Sequence, residues 1–305
     1  MDVLFEPFSI PFMARALAEL LILGALAGTV GVLIVLRRLA FMADALTHTV
    51  FPGVVIGFVL SGESGIFWGA LAAGVATAVL LTWLTRHRAV TEDTALAVLL
   101  TTFFAVGVVL VSRRTGYTAD LTAFLFGRIL TVTGTQLTQT AAVTVAVVAT
   151  LVVLRRPLLA RAFDGDGAQA AGYRIGLLDL LTNAIIALVV VAAVRAVGTI
   201  LVIALLIVPA ATARALSARL TVIIPVAAAV GAIAGWIGLV ISWEASINHG
   251  VRLASGGTVV LVLIACYAAA VAIAAGRRRP RMKTRTRSGA GANPVPASGT
   301  PRGAA

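Results

Sequence analysis

The sequence predicts an all-α polytopic membrane protein with eight or nine transmembrane helices. Three observations carry that expectation. Hydrophobic residues make up 60% of the chain and charged ones only 12%, far from the balance of soluble domains. Several apolar stretches reach the roughly 20 residues that a helix needs to cross a hydrocarbon core of about 30 Å. The arginines gather in short segments between those stretches, as they do in cytoplasmic loops.

Taken in order, residues 1–15 hold Pro7 and Pro11 and read as an interfacial segment too broken to span. It is no signal peptide, because Asp2 and Glu6 stand where a positive n-region would be. A transmembrane domain over 16–275 follows, with apolar runs near 16–36, 46–60, 66–84, 94–112, 137–154, 178–194, 197–209, 222–241 and 256–275. The second run is short unless the polar turn before it is counted. The sixth and seventh are separated only by Arg195-Ala196-Val197-Gly198, either a tight turn between two spans or a break in one long helix. Nine spans put Arg37/Arg38, Arg86/Arg88, Arg155/Arg156/Arg161/Arg174, Arg214/Arg219 and the C-terminal tail on one side, with the N-terminus outside. Arg113, Arg114 and Arg128 then fall on the far side as exceptions.

The net charge of +12 is mostly a property of one segment. Residues 276–305 carry Arg277, Arg278, Arg279, Arg281, Lys283, Arg285, Arg287 and Arg302 and no acid. Their Gly, Ser, Pro and Thr content predicts a disordered basic cytoplasmic tail that lies against an anionic leaflet at most. The high pI is therefore no sign of a nucleic-acid partner. Cys266, the single cysteine, can form neither an internal disulfide nor a CxxC metal site.

The loops are less specific. Asp164-Gly165-Asp166-Gly167 starts like a calcium loop but lacks the later ligands and the closing Glu, so turn chemistry is expected. A short helix is expected over Ala168–Ala171. After Pro209 the stretch 210–221 reads as a short amphipathic helix, whose Arg214 and Arg219 suit a knob docking on a partner's surface.

One stretch carries chemistry. In Arg37-Arg38-Leu39-Ala40-Phe41-Met42-Ala43-Asp44-Ala45-Leu46-Thr47-His48-Thr49-Val50-Phe51-Pro52-Gly53, a carboxylate and an imidazole stand four apart. On a helix such a pair shares one face, with Cβ atoms about 5–6 Å apart, so both side chains can grip one divalent metal ion from about 2 Å. An Asp in a bilayer costs roughly 2.5–3.5 kcal/mol on the insertion scale, which calls for a function. The bland alternative is a polar helix end, with Asp44 as an N-cap or paired to Arg37 or Arg38. Two ligands make a weak site, which suits transit because an ion must also leave. Two copies meeting at a two-fold axis would offer four.

The remaining histidines carry less. His87 is flanked by Arg86 and Arg88, a solvated loop in which two cations oppose a metal. His249 and Glu244 are five apart, wrong for one helix face, and fit an outer surface that receives a binding protein. No GxxxxGK[ST] phosphate loop is present, so ATP hydrolysis by that route belongs to another subunit.

From Arg37 to Gly53 the sequence closely resembles the signature of the zinc/manganese/iron ABC transporter permeases, usually Asp-Ala-Leu-Ser-His-Ala-Val-Leu-Pro-Gly. Phe126-Gly127-Arg128-Ile129-Leu130, the Phe163-Asp164…Ala168…Gly172 loop, and Arg195 to Arg214 through Pro209 match as well, so the resemblance spans about 12–275. Thr47 and Thr49 replace the usual Ser and Ala; Gly165 and Asp166 replace Pro and Glu. The resemblance implies a type II importer permease in a bacterial plasma membrane, working as a homodimer. Two cytoplasmic ATP-binding subunits and an extracytoplasmic metal-binding protein are its implied partners. It also implies that Asp44 and His48 line the path of a transported zinc, manganese or iron ion, with no covalently bound cofactor and no catalysis by the permease. Pro209, Arg214 and Arg219 are then the coupling element. The rivals are a stand-alone metal/proton carrier, which would move metal without an ATPase, and an intramembrane enzyme, which would need more converging polar groups than the sequence offers.

Overall fold

The computed structural model describes residues 5–85, 90–112, 127–251 and 253–277. His87 and its flanking arginines, Arg113, Arg114, Phe126 and the basic tail beyond Arg277 lie outside these. Among the described residues, eight helices are long and apolar enough to cross a membrane. In chain order they are α1 (Pro11–Arg37), α2 (Ala40–Ser61), α3 (Glu63–Leu84), α4 (Glu92–Ser112), α5 (Gly134–Val153), α8 (Ile175–Leu216), α9 (Leu220–Asn248) and α10 (Ser255–Arg277). Two short helices, α6 (Arg155–Phe163) and α7 (Gly165–Ala170), lie between α5 and α8.

The local sequence explains most boundaries. The first helix begins at Pro11, not near residue 16. Pro11 sits in the first turn, where a missing N–H costs nothing, so it starts the helix that the sequence reading took it to break. At the other end Arg38 adopts φ 59°, and Leu39 N–H reaches back to the Ile34 carbonyl at 2.9 Å. That six-to-one bond closes the helix as a Schellman motif does. Thr133 and Gln136 form a reciprocal capping box at the start of α5. Asp164 accepts a hydrogen bond from Gly167 N–H at 2.9 Å and so caps α7, which begins at Gly165 instead of the expected Ala168.

The bundle closes tightly where glycine permits. Gly53 and Gly57 of α2 cross Gly65 and Gly69 of α3, and a Cβ on any of the four would sit 2.1–2.2 Å from a facing carbonyl oxygen. Small residues spaced four apart allow such an approach between membrane helices.

The decisive feature is α8. Its 42 residues would run about 63 Å if straight, twice the thickness of a hydrocarbon core. They do not run straight: Gly198 has φ 77°, ψ 167°, which no helix contains. Arg37, at the end of α1, bonds Asp179 and Thr182 near the start of α8. Ala210 and Ala213, near its finish, cluster with Val32, Val35 and Leu36 of the same end of α1. Both ends of α8 therefore lie on one side, and the chain doubles back at Gly198. Eight helices make nine crossings, with Gly198 as the tight turn that the sequence left open. The described arginines at 37, 38, 155, 156, 161, 174, 214, 219 and 277 all fall at that shared end. By the positive-inside rule it is cytoplasmic, and among the described arginines Arg15, Arg128 and Arg195 lie towards the opposite face.

The segment after Pro209 is not a separate short helix. Pro209 lies inside α8, which continues to Leu216, and Ser217 to Arg219 form the turn into α9. A proline removes one intrahelical bond, but within a bundle neighbouring elements compensate.

Candidate metal path

Asp44 and His48 lie inside the first helical piece of α2, Ala40–Thr49. At 1.5 Å per residue they stand about 6 and 12 Å along from Ala40, in the cytoplasmic half of the span. Asp44 is no N-cap, and Arg37 is engaged by Asp179 instead. Among the described residues, no arginine comes within 4.0 Å of Asp44. Both bland roles weighed for this carboxylate are therefore absent.

His48 Nε2 and Asp44 Oδ1 are 3.8 Å apart. That is too far for a hydrogen bond. It is close to the roughly 3.4 Å that separates two atoms holding one ion tetrahedrally from about 2.1 Å. The gap is thus the size of a shared ion, reachable by a small side-chain rotation. The side chains are 40% (Asp44) and 28% (His48) exposed on the single chain, so both are partly open at its surface. Among the described residues no group of three or more His, Cys, Asp or Glu could hold a metal.

The surroundings fix the pair's backbone. Thr47 donates to the Asp44 carbonyl at 2.7 Å and Thr49 to the Leu46 carbonyl at 3.3 Å, both hydroxyl-bearing residues being fully buried. The two threonines that stand where the family pattern has Ser and Ala turn their hydroxyls back to the helix's own carbonyls. Pro52 lacks the N–H that would bond the His48 carbonyl. The helix accordingly breaks at Val50, about half a turn beyond the imidazole. Phe104 of α4 meets the imidazole edge to face, with ring centroids 5.8 Å apart at 88°.

Sequence reasoning missed several polar residues. Asp179 accepts from Arg37 at 2.6 Å and from both Arg161 Nε and Nη2 at 3.0 and 3.1 Å. This joins α1, α6 and α8 at the cytoplasmic end. Only the count of arginines facing few acids hinted at it. Glu19 of α1 is fully buried, with Thr140 of α5 as polar neighbour of its carboxylate; a lone acid inside an apolar run was the available signal. Arg195 donates to Gln139 at 3.1 Å and stands 5.9 Å from the Phe67 ring centre, tying the Gly198 turn to α5 and α3. Arg214 and Arg219 are exposed at the cytoplasmic end, while Pro209 is buried. Glu244 bonds Asn248, and His249 lies exposed beyond it on the outer face.

The model of the ABC 3 transport family matches residues 9–274. The chain belongs to that family. Among similar members, the manganese transport system membrane protein MntC of Halalkalibacterium halodurans is 35% identical over 260 residues, 85% of this chain and 86% of that protein. The manganese import system permease protein ScaB of Streptococcus parasanguinis is 34% identical over 250 residues, 82% and 86% of the two chains. Among solved structures, PsaBC from Streptococcus pneumoniae in complex with Fab superposes with a TM-score of 0.76 at 30% identity, covering 88% of this chain and 94% of that one. Membership makes this chain a multi-pass permease of the bacterial plasma membrane, and the match stops short of the basic tail.

Proposed function

We infer that this chain is the membrane-spanning permease of an ATP-driven importer for a divalent transition metal, with manganese the first candidate, and that Asp44 and His48 form its transit site. The observation that carries the reading is the 3.8 Å gap between carboxylate and imidazole, uncompensated by any arginine among the described residues and set within a span. Family membership and the manganese transporters among the relatives support the substrate class. Carboxylate and imidazole donors suit manganese, zinc and iron alike, so the choice among them rests on other parts of the system.

The proposed assembly is a homodimer. A second copy would complete the ligand set, since the pair is partly open at the surface of the single chain. Separate ATP-binding subunits would dock at the arginine-rich end, where the α8–α9 turn with Arg214 and Arg219 would receive their motion. A metal-binding protein would dock on the face that carries Gly62, Gly198 and His249. Alternating access would move the ion without bond chemistry in the permease.

Uptake of labelled manganese and zinc, in cells with and without this chain, tests the proposal. The expected outcome is saturable manganese uptake that requires this chain, an ATPase and both Asp44 and His48. Uptake into liposomes holding this chain alone, without ATP, would favour a secondary carrier.

A further inference from the structure

The ligand His48 does not stand by itself: its ring meets Phe104 of α4 edge to face, at 5.8 Å and 88°. Phe104 is in turn backed by Phe51 of α2, with centroids 5.8 Å apart and planes at 34°. Phe51 reaches that position because α4 has no side chain at Gly107, where a Cβ would lie 2.4 Å from Phe51 Cδ1 and 3.2 Å from Pro52 N. Phe51 is only 4% exposed and packs with Val55 and Val111, whereas Phe104 is half-buried at the edge of that cluster. The result is a rigid aromatic strut from α4 to the imidazole, anchored by a glycine.

An imidazole one helical turn from a carboxylate can turn about two side-chain torsions, and only some settings aim Nε2 at Asp44. A perpendicular aromatic neighbour restricts those settings, because rotating the imidazole gives up the edge-to-face contact, one of the favoured arrangements of aromatic rings. We propose that Phe104 is a positioning residue for metal transit: it holds the His48 ring with Nε2 towards Asp44, and so sets the affinity of the transit site without touching the ion. Among the described residues the Asp44 carboxylate has no ring against it, and it is the more exposed of the two. The pair therefore combines one held ligand with one mobile ligand, which lets an ion be gripped and then released.

This inference rests on the reading of Asp44 and His48 as the transit site, and the test separates the two. Manganese(II) is titrated into the full chain in lipid nanodiscs. Free ion is counted by electron paramagnetic resonance, and the nitrogen coupling of bound ion is recorded by pulsed methods. Phe104→Leu is expected to weaken binding by roughly two- to tenfold, the range that an aromatic pair contributes, and to broaden the nitrogen coupling. Phe104→Tyr, which keeps the ring, is expected to restore both. Should Phe104→Leu fail to fold, judged by its elution profile, Phe104→Met takes its place. Wild-type affinity and coupling in Phe104→Leu or its substitute, with binding lost in His48→Ala, would overturn the positioning role while leaving the transit site standing. Wild-type binding in His48→Ala would instead overturn the transit site itself, and the strut's role with it.

Discussion

Two groups of ionisable side chains lie near the cytoplasmic ends of the spans, and they are built in opposite ways. Around Asp179 two arginines converge. One donates at 2.6 Å while also holding Thr182, and the other makes a bidentate fork at 3.0 and 3.1 Å. Both arginines there are engaged. At Asp44 and His48 the two groups stand 3.8 Å apart with no arginine in reach among the described residues. Evolution had arginines at positions 37 and 38, a few residues away, yet Arg37 is turned to Asp179. A satisfied cluster holds helices together, because bidentate arginine–carboxylate pairs are strong and geometrically specific. An under-satisfied pair keeps its lone pairs for a ligand. Under the proposed function, the contrast separates a structural cluster from a transit pair within one chain.

The largest effect expected is at the open pair. Asp44→Ala and His48→Ala should each reduce manganese uptake to background while membrane levels of the protein stay near wild type; near-normal uptake would erase the contrast. Asp179→Ala should behave the other way. Removing a partner from charge-assisted hydrogen bonds costs about 1.5–3 kcal/mol each, and partial exposure of the cluster lowers that, so a loss of about 2 kcal/mol is expected. It should appear as a fall in thermal midpoint, with manganese binding retained in the folded fraction. A loss of binding without a loss of stability would mean that the two groups are functionally one.

Smaller effects test the frame that holds both groups. Gly198→Ala forces a side chain into a backbone region open essentially to glycine alone, at a cost of about 1–3 kcal/mol. Folded yield in membranes should fall, since the sixth and seventh crossings depend on that turn. Glu19→Gln should express and transport close to wild type, because a neutral amide fits a fully buried site, whereas Glu19→Lys should not accumulate. The least effect is expected from deletion after Gly276, outside the family match, which should leave metal uptake unchanged.

Much of this was legible in the residues. The membrane class followed from composition, and the spacing of Asp44 and His48 followed from the 3.6-residue turn, because both depend on local chemistry. Pro11 and Pro209 misled for one reason: proline breaks a helix in isolation, but it is tolerated in a first turn and inside a packed bundle. Phe104 was invisible, since an aromatic residue in an apolar run looks like any other until the helix beside it is known. Asp179 was hidden similarly, its two arginines lying 142 and 18 residues away in sequence.

The sequence alone determined that the chain lives in a membrane, where its polar pair sits along a helix, and which family pattern it carries. Hydrophobic length and helical periodicity are properties of single segments, so they need no fold to be read. Only the tertiary structure decided that Gly198 returns the chain to its starting side, that Arg37 is spent on Asp179, and that an aromatic strut from α4 reaches His48. Each of these depends on which helices become neighbours, and that is settled by packing across the bundle, where distant residues first meet.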